Sequence, residues 1–261
     1  MSTQHLLVPG QPVGLYIVET YLTTGSFGDL YLAKNGTTQE RVALKIIQIP
    51  SGVRVGRDLF ALGERLLTLS HPCLVQVREM HLDETPPYHV MAYAEGGSLS
   101  QRLDGASRSP MGAAASLPIL ARVGAALTYL HEQNIVHRGV QPASILFDEQ
   151  GQALLSGLDL AQPTDQVPSP QVITALYHAP EEERGVASPR SDQFALGCLA
   201  YHLLTGSRPS REMRRDLAQR VEEQIIPSHI GRAVLRALAE VSTLRLESVA
   251  DFVAALGADR P

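Results

Sequence analysis

The sequence contains few of the residues that mark several common protein classes. Its two cysteines, Cys73 and Cys198, lie far apart and outside any Cys-x-x-Cys pair, so no zinc site or redox motif is predicted. The net charge of -5 is opposite in sign to the basic surface of a nucleic-acid or membrane-surface binder. The nine histidines show no metal-ligand spacing. We therefore expect no metal site and no nucleic-acid partner.

Long apolar segments are also scarce. The longest run, Phe194–Leu204, is interrupted by Gly197, Tyr201 and His202 and is too short to cross a bilayer. The first residues show no basic region followed by an apolar stretch, so they do not resemble a signal peptide. We expect a cytoplasmic protein without a membrane partner.

The apolar residues predict two kinds of structure in succession. The first ninety or so residues contain β-branched and alternating runs, such as Arg41–Ile49, that predict strands. One helix is predicted among them, at Arg57–Leu69. A small β-rich lobe before a larger helical lobe is an α+β arrangement. We expect a single domain over residues 1–261, with an N-lobe at about 14–93, a hinge at about 92–97 and a C-lobe at about 98–256.

Helical spacing dominates the predicted C-lobe after Gly96-Gly97. Two short strands are predicted, at Ser144–Phe147 and Ala153–Leu155. The predicted helices are Pro110–Gln133, Ser191–Leu204, Glu212–Glu223, Ile230–Val241 and Ser248–Leu256. The segment Thr164–Gln171 is rich in proline, serine and threonine, which is typical of an exposed loop.

Seven short motifs, each weak by itself, follow one another along the chain. They are Thr23–Gly28 with Leu30, Val42–Lys45, His71-Pro72, Val90–Tyr93, His137–Ser144, Ala179–Glu181, and Ser191-Asp192 with Leu196-Gly197. In this order they resemble the eukaryotic-like serine/threonine protein kinases, over about residues 14–256. The resemblance implies the bilobal protein-kinase fold, with a Gly-rich loop, a strand lysine, a hinge and a catalytic loop.

Four positions depart from the residues that the family uses for phosphoryl transfer. Gly139 replaces the proton-accepting aspartate, Gln141 the lysine that steadies the phosphate, Ser144 the magnesium-binding asparagine and Gly157 the principal magnesium-binding aspartate. Kinase catalysis is mostly positioning and charge neutralisation, and magnesium prefers carboxylate oxygens. The resemblance therefore implies a degenerate member without catalytic residues or a metal site.

Two acidic residues lie near, but not at, positions where the family has functional acids. The glutamate that pairs with the strand lysine corresponds to Leu62, and Glu64 is rotated by about 200° on a helix. Asp159 lies two residues beyond Gly157, at the family's glycine position. It is either a relocated metal ligand or an exposed loop carboxylate.

The resemblance also assigns a nucleotide site. Its residues are Gly25, Gly28, Leu30, Ala43, Lys45, Met91, Tyr93 and Leu146. The two glycines either admit phosphates by close backbone approach or only form a hairpin turn. Lys45 either contacts a phosphate or reaches solvent or a local carboxylate. We expect no required cofactor, with ATP or another adenine nucleotide binding without magnesium.

Several family positions that support the fold are retained. By resemblance, Asp192 accepts hydrogen bonds from the catalytic-loop backbone, and Glu181 forms a buried ion pair with Arg245. His137 has a structural role, and Arg138 receives a phosphorylated loop residue. The loop residues available for phosphorylation include Thr164, Ser169 and Thr174.

Three functions remain open at this stage. The leading hypothesis is a catalytically inactive pseudokinase that acts as a signalling scaffold or allosteric interaction module for an unidentified protein partner. The second is a nucleotide sensor that binds ATP without magnesium. The third is an atypical active serine/threonine kinase that transfers phosphate from ATP.

Overall fold

The computed structural model describes residues 6–25, 28–48, 57–105, 109–164 and 176–257. The chain divides into two compact units. Unit 1 comprises Met1–His71 and Val75–Glu95, and unit 2 comprises Pro72–Leu74 and Gly96–Pro261. Four residues of the predicted Gly-rich and phosphorylation segments lie outside the described residues: Ser26, Phe27, Ser169 and Thr174.

Unit 1 is built on a six-stranded antiparallel sheet. Its strands are β1 (Pro12–Val13), β2 (Tyr16–Gly25), β3 (Gly28–Asn35), β4 (Arg41–Ile46), β5 (Val77–His81) and β6 (Tyr88–Ala92), in the order β1-β2-β3-β4-β6-β5. One helix, α1 (Arg57–Thr68), lies between β4 and β5 in the chain and packs against β5. Strand β4 and this helix occur where the sequence pattern predicts them, although Ile49, the predicted end of that strand, lies outside the described residues. The two-residue strand β1 is not predicted.

The two faces of this sheet have different roles because side chains alternate along each strand. One face carries the buried core, which includes Tyr31, Leu44 and Val90, all with no exposed surface. The N-terminal segment joins this core through Leu7, whose backbone N–H donates to the Tyr31 hydroxyl at 3.2 Å. The opposite face is left for residues of the predicted site.

Unit 2 is mainly helical. Its helices are α2 (Leu99–Gly105), α3 (Gly112–Glu132), α4 (Pro189–Thr205), α5 (Met213–Glu222), α6 (Ser228–Ala237) and α7 (Val249–Gly257). Its strands form two short antiparallel pairs: β7 (Ile135–Val136) with β10 (Gln162–Pro163), and β8 (Ile145–Phe147) with β9 (Ala153–Leu155). These pairs support the predicted catalytic loop, which lies between β7 and β8.

Helix α4 is the centre of unit 2. It begins after Ser188, an N-cap residue in a capping box with Ser191, and has Pro189 at its first position. It ends at Gly206, which takes the left-handed conformation that commonly stops a helix. Every residue from Ser191 to Thr205 is buried, and the helix packs against α3, α6 and α7. Its few polar side chains are therefore held at fixed positions inside the unit.

Within the described residues, helix α3 is long and apolar enough to cross a membrane by length and composition. Its side chains Leu120, Leu127 and Leu130 are fully buried, and it packs against α4 and α7. A buried core helix passes the same test of length and composition, so the helix indicates neither a membrane nor its absence.

Candidate functional site

Four of the predicted nucleotide residues lie on one face of the unit 1 sheet. Leu30 is directly opposite Lys45, and Ala43 is directly opposite Met91. Lys45 and Ala43 are two residues apart on β4, so all four side chains point to the same face. Lys45, Ala43 and Met91 are buried and Leu30 is half-buried. Tyr93 is half-buried, just beyond the end of β6.

Sequence reasoning missed a histidine on this face. His89 is directly opposite Lys45, on the neighbouring strand, and keeps only 6% of its surface exposed. Side chains alternate between the two faces along β6. Since Tyr88 and Val90 belong to the core face, His89 must share the opposite face with Met91, and this alternation could have revealed it. A second nitrogen-bearing side chain therefore lies beside the strand lysine.

The two glycines of the predicted phosphate loop are needed for different reasons. A Cβ atom on Gly28 would come within 1.9 Å of the Ile46 carbonyl oxygen, and its φ of +133° suits glycine. A Cβ atom on Gly25 would come within 3.2 Å of the Lys45 Nζ atom. Gly28 thus lets two strands approach, which supports the structural role for that glycine. Gly25 leaves room for the lysine side chain.

On helix α1, Glu64 does not take the place of the glutamate that the family pairs with the strand lysine. Leu62 is half-buried, at the position where the family has its glutamate. Glu64 is exposed to solvent, as its rotation around the helix predicts.

The predicted catalytic loop of unit 2 is held by its own histidine. His137 is fully buried, and its Nε2 atom donates to the Ser156 carbonyl oxygen at 3.0 Å. Its Nδ1 atom accepts the Gly139 backbone N–H at 3.0 Å. Burial lowers the pKa of His137, which agrees with a neutral ring that has one donor and one acceptor. These bonds give His137 a structural role.

Asp192 holds the same loop from helix α4. Its two carboxylate oxygens accept the backbone N–H groups of His137 and Arg138, both at 2.8 Å, as predicted. The His131 side chain donates to it as well, at 2.8 Å. Burial opposes ionisation, but the hydrogen bonds from the His131 side chain and the His137 backbone keep the pKa of Asp192 below its ordinary value. Asp192 is therefore a fully buried anchor for the loop.

Ser144 stands where the family has its magnesium-binding asparagine, and its hydroxyl is hydrogen-bonded to the neighbouring backbone. The Ser144 hydroxyl donates to the Gln141 carbonyl oxygen at 2.8 Å and accepts the Gln141 backbone N–H at 3.1 Å. These bonds close the short 3-10 turn Pro142–Ser144. A metal ion would have to compete with both of them for the hydroxyl oxygen.

Gly157 stands where the family has its principal magnesium-binding aspartate, and both its backbone conformation and the space around it suit glycine. Gly157 has φ of +85° and ψ of 37°, in the left-handed region, and a Cβ atom on it would lie 3.2 Å from the Ser144 Cβ atom. Asp159 follows in the turn Leu158–Leu160 and is half-buried, which corrects the exposed-loop alternative. Among the described residues there is no group of three or more histidine, cysteine, aspartate or glutamate side chains that could hold a metal ion.

The remaining predicted nucleotide residue, Leu146, lies on β8 of unit 2. It pairs with Leu154 on β9 and forms an isolated bridge with Ser98. Its side chain is half-buried.

The predicted ion pair of unit 2 is present. Arg245 Nη2 donates to Glu181 Oε2 at 2.8 Å, and a second guanidinium nitrogen contacts Glu181 Oε1. Burial raises the pKa of Glu181, but the Arg245 hydrogen bonds outweigh it and the pKa lies below its ordinary value. This pair fixes the segment before α4 to the region before α7.

A small β-rich unit and a larger helical unit, with a glycine hairpin, a strand lysine and an aspartate-anchored loop, define the protein-kinase class. The sequence matches the protein kinase domain family over residues 16–256. The chain therefore belongs to the protein kinase domain family, of the serine/threonine kinase type.

Two relatives illustrate the similarity in sequence. The serine/threonine-protein kinase PknL of Mycobacterium tuberculosis is 32% identical over 225 residues, which cover 84% of this chain and 55% of the relative. The cAMP-dependent protein kinase catalytic subunit PRKX of Homo sapiens is 32% identical over 209 residues, 78% of this chain and 58% of the relative. The chain thus spans little more than half the length of these curated relatives.

A solved structure illustrates the similarity in fold. A double mutant of the PknI kinase domain of Mycobacterium tuberculosis has a TM-score of 0.74 with this chain and is 25% identical to it; the match covers 96% of this chain and 98% of that one. The fold is the protein-kinase fold, with a β-sheet N-lobe and a helical C-lobe, as the sequence predicts.

Proposed function

We propose that this chain is a catalytically inactive kinase-family domain, a pseudokinase that works as a signalling scaffold or allosteric module in the cytoplasm through a protein partner. The observation that carries the proposal is glycine at two positions where phosphoryl transfer needs carboxylates, Gly139 for the proton and Gly157 for magnesium. Base catalysis by itself raises a reaction rate by about 10²–10⁴-fold, whereas charge neutralisation by magnesium is a main part of kinase catalysis. The loss of the magnesium-binding carboxylate should therefore lower the rate more than the loss of the base.

The local geometry supports the proposal at both magnesium positions. The Ser144 hydroxyl is already bonded to the Gln141 backbone, and Gly157 has no side chain. These residues do not fit a magnesium ion held in the family's manner. By contrast, Leu30, Ala43, Lys45 and Met91 share one face of the sheet, which supports an adenine-nucleotide site there. We propose residual nucleotide binding without magnesium.

The second candidate is an active protein serine/threonine kinase that uses ATP. It is favoured by the relatives, which carry the names of serine/threonine protein kinases. Their names favour activity more than inactivity, whereas the residues at the reaction centre of this chain favour inactivity. The two candidates differ in one measurable property, the transfer of the γ-phosphate.

The deciding experiment measures transfer of labelled γ-phosphate from ATP. Purified protein is incubated with magnesium or manganese and with a mixture of basic and acidic protein substrates. We expect no labelling above that of a Lys45→Ala variant. Labelling of the wild type that is lost in Lys45→Ala would establish the active kinase and refute the pseudokinase.

A further inference from the structure

Arg138 is a buried cation that holds both ends of one segment of unit 2. Its Nη1 atom donates to Gln162 Oε1 at 2.8 Å, and Gln162 lies on β10, at the start of the segment. Its Nε atom lies 3.5 Å from Glu182 Oε1, at the end of the segment. The side chains of Arg138 and Glu182 are each only 2% exposed. Gln162 and Glu182 are therefore both attached to one guanidinium group.

The Arg138–Glu182 contact brings together two charged side chains that each have buried polar atoms without a hydrogen-bond partner. Among the described residues, Arg138 Nε and Nη2 have no hydrogen-bond partner, and neither has Glu182 Oε1. The other oxygen, Glu182 Oε2, accepts the Ala179 backbone N–H at 3.2 Å. A buried charge without a counter-charge raises the free energy of the folded state. Arg138 and Glu182 therefore each reduce the free-energy cost of burying the other.

We propose that Glu182 supplies, from within the chain, the anion that the Arg138 guanidinium binds. The carboxylate then occupies the place that a phosphorylated side chain or a free phosphate would need. The attachment of Glu182 to Arg138 then does not depend on phosphorylation. Removal of that carboxylate exposes a latent site for a phosphate-type anion.

The surroundings of Glu182 contain some groups that favour its ionised form and others that oppose it. Burial and the nearby Asp192 carboxylate raise the pKa of Glu182 to about 7, against the Ala179 N–H and Arg138, which lower it. Asp192 is itself bonded to His131 and to the backbone of His137 and Arg138. Burial and Arg138 lower the pKa of His178 to about 4, so this imidazole adds no positive charge near neutral pH. Ionised Glu182 is thus held against Arg138 most firmly above neutral pH.

The first test uses inorganic phosphate as the probe and Glu182→Ala as the variant, since alanine removes the charge and opens space. Melting is measured at pH 8 in phosphate and in chloride of equal ionic strength. We expect phosphate to raise the melting temperature of Glu182→Ala by about 2–4 °C. Wild type should show no such rise, and neither should Glu183→Ala, an exposed neighbour with the same change of charge. Adding Arg138→Met to Glu182→Ala should abolish the rise.

The proposal is overturned if phosphate leaves Glu182→Ala unchanged, or if it stabilises the wild type equally through Arg138. A second comparison holds even if Glu182→Ala does not fold. Arg138→Met leaves the Glu182 carboxylate buried without its cation, so at pH 8 adding Glu182→Gln should raise the melting temperature of Arg138→Met by about 2 °C or more. Glu182→Gln in the wild type should raise the melting temperature by less, because there it removes the partner of Arg138. Equal effects of Glu182→Gln in the two backgrounds would show that the two residues do not interact. The readout is stability, so it is independent of whether the chain binds nucleotide.

Discussion

At the scale of single residues, the buried guanidinium group of Arg245 in unit 2 is matched by several partners. Arg245 keeps 2% of its surface exposed, and besides Glu181 it donates to the backbone oxygens of Ala239 and Arg190. Its guanidinium also lies 4.9 Å from the centre of the Phe194 ring. Because these partners come from separate elements, one side chain connects the segment before α4 with the turn before α7.

The first prediction concerns this residue. Arg245→Ala should lower the free energy of unfolding by about 3–5 kcal/mol, because it leaves Glu181 half-buried without its cation and orphans the backbone acceptors. Thermal or denaturant unfolding measures the loss. Arg236→Ala, an exposed arginine on α6, is the control and should melt close to wild type. A melting temperature of Arg245→Ala within a degree of wild type would contradict the assigned role.

A second prediction at this scale concerns the nucleotide. Apolar contacts to the adenine need none of the side chains missing from this chain. The triphosphate needs positive charge, which neutral Gln141 does not supply and which Ser144 and Gly157 do not recruit by holding magnesium. Repulsion between unneutralised charges is worth on the order of several kcal/mol at intermediate dielectric. We expect adenosine and flat ATP-competitive inhibitors to bind at least as tightly as ATP, and magnesium not to improve ATP binding.

Calorimetric titration of adenosine, an inhibitor and ATP, each with and without magnesium, measures these affinities. Lys45→Ala is the matched variant and should weaken ATP more than adenosine. Tight ATP binding that collapses on chelation would contradict the prediction and would indicate a metal site that includes Asp159.

The sequence predicts single residues well where a family position fixes their partner. Asp192 and the Glu181–Arg245 pair were found where the motif order placed them. Glu182 and His89 were not anticipated, because each meets its neighbour only through tertiary structure. Arg138 and Glu182 are 44 residues apart in the chain, and no local pattern relates them.

At the scale of elements, periodicity explains both the successes and the omissions. The helices α3 to α7 and strands β8 and β9 occur within a few residues of their predicted ends, because their apolar repeats are long enough to detect. The two-residue strands β7 and β10 and the short helix α2 were not predicted. A strand of two residues has no alternation to detect, and it forms only because the fold brings its partner alongside.

The third prediction separates the two glycines of the β2–β3 hairpin. Gly28→Ala should destabilise unit 1 strongly, because its Cβ atom would meet the Ile46 carbonyl oxygen, part of a backbone that cannot move aside. Gly25→Ala meets only the end of the Lys45 side chain, so its melting temperature should stay within about 2 °C of wild type. Equal losses in the two variants, measured by thermal unfolding, would contradict this distinction.

At the scale of the whole molecule, stability is linked to proton binding by groups buried in the folded state. Burial lowers the pKa values of His137, His178 and His202, so these rings stay neutral below the pH at which unfolded histidine takes up a proton. Glu182 acts in the opposite direction, because its raised pKa of about 7 lets the folded chain hold a proton that the unfolded chain releases. Three groups therefore oppose one between pH 4.5 and 6.5.

The last prediction follows from this balance. The unfolded state binds more protons than the folded state just below pH 6.5, and stability then falls as the pH falls. Each additional proton bound on unfolding changes the free energy of unfolding by about 1.4 kcal/mol per pH unit. We expect the melting temperature to drop by about 5 °C between pH 7 and pH 5.5. His178→Gln should reduce the slope because it removes one of the three imidazoles, whereas Glu182→Gln should steepen it because it removes the opposing carboxyl. A melting temperature that is flat or rises on acidification would contradict the prediction, because the folded protein would then bind at least as many protons as the unfolded chain.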